Sequence, residues 1–186
     1  MRIRGRTLAA MSPVMLCLGS LLLSGCDGQA RAVFAKPDLL RYERLAVIGL
    51  DAENEQIFMA VYIKTFVSRP VTFIERNRLA EIIGEQDLLQ SRLDDRSRAK
   101  IQKILGVEAL IMCEYYKPDD RPGSLKKLRV RIVDSETGAI VGSALTETFS
   151  NFEMHARAAI EALRADLLNG GSRRGYAAPS EAPPSR

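Results

Sequence analysis

Apolar residues fall in short blocks along the middle of the chain. The block LAVIGL, residues 45–50, is bounded by charge and has the length of a buried strand. In the next stretch, from Asp51 to Phe66, Ile57, Val61 and Tyr62 recur at helical spacing, and Pro70 limits any continuation. VTFIE (71–75) is a second strand, followed by a helix whose Leu79, Ile82 and Ile83 fall at i, i+3 and i+4. Asp94 or Asp95 can cap another helix with Ile101, Ile104 and Leu105 on one face, closed by a left-handed residue at Gly106. ALIMCEYY (109–116) is a third buried strand, and KPDDRPGS is a loop by composition. LKKLRVRIVD alternates Leu128, Val130 and Ile132 with Lys127, Arg129 and Arg131. SETG then makes a turn, and AIVGSALTETF returns as the second strand of a hairpin. A final helix from Phe152 to Leu168 gathers Ala156, Ala159, Ile160, Leu163 and Leu167 on one face. The predicted order is βαβααβββα, an α/β (α+β-like) fold with a mixed sheet and helices packed on it.

The ends of the chain have a different character. Arg2, Arg4 and Arg6 precede an apolar run from Leu8 to Leu23, the pattern of an export signal rather than of a folded element. Its close, Leu23-Ser24-Gly25-Cys26, resembles the lipobox of bacterial lipoproteins. That resemblance implies cleavage after Gly25 and acylation of Cys26 with palmitate-type chains, which together hold a protein at a bilayer. No other apolar run approaches the ~20 residues of a spanning helix. The predicted organisation is a signal over 1–25, a lipidated cysteine with a tether over 26–41, one domain over 42–169 and a disordered tail over 170–186, which is rich in Gly, Ser, Pro and Ala.

Without residues 1–25, which carry three arginines and no acid, the 27 basic residues fall to 24 against 23 acidic ones. The mature domain is near neutral, so charge gives no argument for nucleic acid. Of the three cysteines, the lipobox resemblance implies that Cys17 leaves with the signal and that Cys26 is acylated. Cys113, alone in an apolar run, reads as a small hydrophobe. A single histidine, His155, leaves a His/Cys zinc site without ligands. A Ser-His-acid triad would have to use His155, with no nucleophile elbow beside it. No phosphate-cradling glycine loop is present. Asp94-Asp95 and Asp119-Asp120 adjoin turn residues and read as solvated caps. No enzyme, cofactor or metal is predicted.

Several motifs occur in an order that resembles the curli production assembly/transport lipoprotein family. ERNRLAEIIGEQ is similar to that family's E-R-x-x-L-x-x-I-L-x-E-x signature, with Glu75, Arg76, Leu79, Ile82 and Glu85 at the marked positions. LGVEALIMCEY resembles its L-G-A-D-A-I strand, with Leu105, Gly106 and Ala109 matching. LRVRIVDSETGAIVGS resembles its hairpin, with Thr137 and Gly138 at the turn. The chain departs from the family where the channel is built. Only DAENEQ stands where a long constriction loop is expected, and KPDDRPGS and SNFEMHA are too short for membrane-spanning hairpins, whose strands take about 9–11 residues each.

The resemblance therefore implies the family's soluble domain and anchor without its pore. The expected function is a lipid-anchored, periplasmic, non-enzymatic module that assembles or docks in an envelope export system. It is expected to face the periplasm from the outer membrane, and a heterologous contact between identical copies closes into a ring if the rotation allows. Asp27, which resembles an inner-membrane retention signal, points the other way on location. The alternative function is a lipoprotein activator of a peptidoglycan synthase. Expected partners are the membrane, copies of the chain, and export or cell-wall proteins. Glu75 and Arg76 read either as a structural corner between strand and helix or as an oligomer contact. Lys127, Arg129 and Arg131 share one strand face, either solvated or a basic stripe for an anionic partner.

Overall fold

A computed structural model describes residues 30–118 and 124–169. Its elements are β1 (Ala30–Ala35), a 3-10 turn (Pro37–Arg41), β2 (Arg44–Ile48), α1 (Ala52–Thr65), β3 (Thr72–Phe73) and α2 (Arg76–Ile83). They continue with α3 (Glu85–Leu88), α4 (Asp95–Leu105), β4 (Ala109–Tyr116), β5 (Lys126–Asp134), β6 (Ile140–Thr148) and α5 (Phe152–Leu168). Six strands form one mixed sheet in the order β1-β6-β5-β4-β2-β3. The β2 strand pairs in parallel with both β3 and β4, and the remaining pairings are antiparallel.

Helices cover both faces. On one face α1 and α5 lie side by side, burying Phe58 and Tyr62 of α1 and Ala156, Ala159, Ile160 and Leu163 of α5. Against them stand Ile111 and Cys113 of β4 and Leu128, Val130 and Ile132 of β5. On the other face α2, α3 and α4 bring Leu79, Leu88 and Ile101 onto Ala46 and Ile48 of β2 and Leu110 and Met112 of β4. This explains why LAVI and ALIM are continuous apolar runs: both of their faces are buried.

The helix starts follow the sequence. Asp51 Oδ1 accepts from Asn54 N at 2.9 Å, Asp94 Oδ1 from Ser97 N at 2.6 Å, and Asn151 Oδ1 from Met154 N at 3.1 Å. Each cap satisfies an N–H that the helix itself leaves free. Gly106 closes α4 in the left-handed region, at φ 64°. Gly49 is required for another reason. Its φ is 87°, and a Cβ there would fall on the carbonyl oxygen of Cys113.

Four expectations need correction. Residues 30–41 are not tether. The β1 strand pairs with β6, the amide of Ala35 donates to Asp166 Oδ2 at 2.7 Å, and Leu39 is buried. A burial signal of two alanines, one valine and one leucine was too sparse to mark the strand. The expected strand 71–75 shrinks to Thr72–Phe73 at the sheet edge, where one neighbour supplies its only ladder. The α3 turn is additional, set by Gly84. Ile104, expected on the inner face of α4, is exposed, because α4 meets the sheet chiefly through Ile101.

Candidate functional site

The β2, β3 and β4 strands all terminate at one end of the sheet. At that end β2 passes into α1 and β3 into α2, so two loop-to-helix corners meet there. Open α/β sheets place their ligand crevices at this end. Here the place is filled by an ion network. Arg76 Nη1 lies 2.6 Å from Glu55 Oε2 and donates to the Leu50 carbonyl at 3.0 Å. Its Nε donates to Glu85 Oε1 at 2.9 Å, and Nη2 reaches the same oxygen.

Glu55 is only 3% exposed, so its carboxylate depends on Arg76. Burial raises the pKa of Glu55, while the hydrogen bond and charge of Arg76 oppose that rise. For Arg76, desolvation disfavours the charge, but the hydrogen bonds it donates to Glu85 and Glu55 outweigh it and raise the pKa. The guanidinium thus ties β3–α2 to the β2–α1 loop and to α3. Glu75 is exposed and makes no side-chain cap. The sequence brought Arg76 and Glu85 forward. It did not bring forward Glu55, whose one signal is an acid on the inward side of an otherwise apolar helix face.

The stripe Lys127, Arg129 and Arg131 lies on the sheet face away from α1 and α5, and each side chain has a partner. Lys127 Nζ is 3.3 Å from Glu147 Oε1, which shares its carboxylate with Arg31 at 2.6 Å. Arg129 Nη1 is 2.9 Å from Glu114 Oε2, and Arg131 Nη2 donates to the Ser91 carbonyl at 2.7 Å. The basic face is therefore half-neutralised across neighbouring strands.

Two further polar sites are built around Asp134, which the sequence did not bring forward, and His155. Asp134 closes the β5–β6 turn. Its Oδ1 accepts from the amides of Glu136 and Thr137 and the Thr137 hydroxyl, at 3.0, 2.7 and 2.8 Å. Its Oδ2 accepts from Tyr42 Oη at 2.7 Å and Arg41 Nη2 at 3.1 Å. Burial alone would raise this carboxyl's pKa, but the bonds from Thr137, Tyr42 and Arg41 hold it well below the usual range. His155 is fully buried, with Nδ1 2.6 Å from Thr146 Oγ1 and its ring edge-on to Tyr115. Desolvation lowers its pKa. The Cys113 thiol is likewise pushed up by burial.

Among the described residues no group of His, Cys, Asp and Glu is placed to hold a metal, and no helix is long and apolar enough to cross a membrane. Cys26 and Asp119-Asp120 lie outside the described residues.

Residues 67–115, from the turn after α1 into β4, match the family model of the curli production assembly/transport component CsgG. The chain resembles that family over this segment. The segment contains the ERNRLAEIIGEQ motif, hence Arg76 and Glu85, and ALIMCEY of the packed strand β4. Among solved structures the chain is similar to a PelC dodecamer from Paraburkholderia phytofirmans. The identity is 16%, covering 75% of this chain and 97% of that one, with a TM-score of 0.47. It is also similar to the lipoprotein GNA1162 from Neisseria meningitidis, at 13% identity over 68% of this chain and 95% of that one, with a TM-score of 0.41. A comparison with curated proteins gives no match.

Proposed function

We propose that the chain is a lipid-anchored, non-enzymatic module on the periplasmic side of the outer membrane, built from associating copies within an envelope export system. The observation that carries this reading is the match of residues 67–115 to a transport and assembly component, over a segment that folds as one packed unit. The ion network supports a scaffold in place of a reactive site: Arg76 is spent on two carboxylates and a carbonyl. Anchoring rests on the lipobox-like Leu23-Ser24-Gly25-Cys26.

Association of copies is supported by the two unlike edges of the sheet. The β1 edge exposes Phe34, and the turn leading to the β3 edge exposes Val67. A head-to-tail contact between unlike surfaces closes into a ring when the rotation allows. The synthase-activator alternative is weakened by β1, which starts at Ala30. Only three residues then separate Cys26 from the folded domain, too short a spacer to reach a partner far from the bilayer.

Affinity purification of the acylated chain from solubilised envelopes tests the reading. Export components should co-purify, and recovery of a peptidoglycan synthase in their place would install the alternative. Fractionation of the wild type and Asp27→Ser tests location. Both should reside in the outer membrane, and inner-membrane residence of both would contradict the assignment.

A further inference from the structure

We infer that the sheet end carrying Phe149, Lys117 and Lys126 rests on an anionic phospholipid surface. The inference deepens the anchored-module reading and rests on it for orientation.

Four strand ends meet there. Because β4, β5, β6 and β1 are successively antiparallel, the close of β4 at Tyr116 and the start of β5 at Lys126 coincide with the close of β6 at Thr148 and the start of β1 at Ala30. The register fixes this: Tyr116 lies opposite Lys127, Lys126 opposite Thr148, and Ala30 opposite Thr146. The chain enters the domain at Ala30, four residues after Cys26, a reach of at most about 14 Å when extended. An acyl chain on Cys26 therefore brings this end, and not the opposite one, to the headgroups.

The residues presented at this end suit such a surface. Phe149, in the turn between β6 and α5, is 72% exposed, an unusual cost for an aromatic side chain facing water. Lys117 and Lys126 are exposed beside it, and Lys126 Nζ stands 5.4 Å from the Tyr115 ring centroid. Arg31 and Lys127 add two cations against the single carboxylate of Glu147, while Glu153 of α5 is matched by Arg157. An aromatic ring at the headgroup level with lysines around it is the composition that peripheral membrane contacts use. The stripe Arg129–Arg131, by contrast, runs away from this end and is held by Glu114 and the Ser91 carbonyl.

The chain contains no tryptophan, so Phe149→Trp installs a unique fluorophore. The acylated full chain carrying it would be placed in vesicles of phosphatidylcholine and phosphatidylglycerol with brominated acyl chains. Trp at 149 should lose about half its emission, as expected for a ring at the acyl boundary. Ile104→Trp, at the opposite end of the domain, should be unaffected. Indifference of both reporters in acylated, folded protein overturns the inference. A blue shift at position 149 that follows protein concentration without lipid also overturns it, because a second copy would then cover Phe149. Mass spectrometry of the same sample reports acylation separately. If Cys26 is bare, the anchor reading fails, and flotation of that unacylated chain decides the surface. Lys117→Gln with Lys126→Gln should weaken flotation on anionic vesicles roughly 30-fold at low salt. Unchanged flotation of folded double variant overturns the surface on its own.

Discussion

Arg76 shows how one side chain can hold a corner together. Among the described residues it is the counter-charge of the buried Glu55 carboxylate, and removing one member of such a pair leaves the other charge desolvated. Arg76→Ala is expected to cost about 3–5 kcal/mol in urea unfolding. The same change at exposed Glu75 should cost under about 0.5 kcal/mol. If Arg76 served chiefly as a contact between copies, its loss would change oligomeric state and leave monomer stability intact. His155 makes a different prediction. Its folded pKa is lowered from the ordinary 6.5 by burial. A depressed pKa in the fold means the neutral form is favoured there, so its contribution is complete above about pH 6.5 and fades as pH falls through the folded value. Glu55, with a raised pKa, has the opposite sign, its contribution fading as pH rises. The His155 component should therefore lower the Tm between pH 7.5 and 5.5, and His155→Gln should remove that component of the slope. A slope unchanged by the substitution would remove His155 as its cause.

At the level of elements, the closest agreement between sequence and structure lies where burial is two-sided or caps are explicit. The runs LAVI and ALIMCEYY, the alternating LKKLRVRIVD, and the helix 152–168 all lie as the pattern predicts, because apolar period and cap chemistry point the same way there. β1 was illegible because an edge strand needs only one apolar side. Its anchors are distant: the backbone of β6, the carboxylate of Asp166, and the Asp134–Tyr42 bond that seats the neighbouring 3-10 turn. α1 was placed correctly along the chain but rotated. Phe58 and Tyr62 enter the core, while Ile57 and Val61 lie at its margin. Arg76 and Glu85 were visible as motif positions, but their meaning was not, since Glu55 comes from an element 21 residues away from Arg76. Gly49 lies close under the Cys113 carbonyl. Gly49→Ala adds both a left-handed penalty and a clash with backbone, so a loss of at least about 2–3 kcal/mol is expected in thermal unfolding. A loss under about 1 kcal/mol would mean that β2 and β4 can separate there at little cost.

The domain as a whole presents a sheet with two dissimilar edges, β1 and β3. Phe34→Glu on the first edge and Val67→Glu near the second should each leave circular dichroism unchanged and shift assembled protein to monomer. Charge on either side suffices, because every head-to-tail contact uses both edges. Should neither variant alter assembly, the contact lies elsewhere on the surface. The central claim, association of identical copies, is tested most directly by negative-stain imaging of the acylated, detergent-purified protein over a concentration series. Closed rings of uniform diameter are the predicted result, and monomers at every concentration would contradict the account.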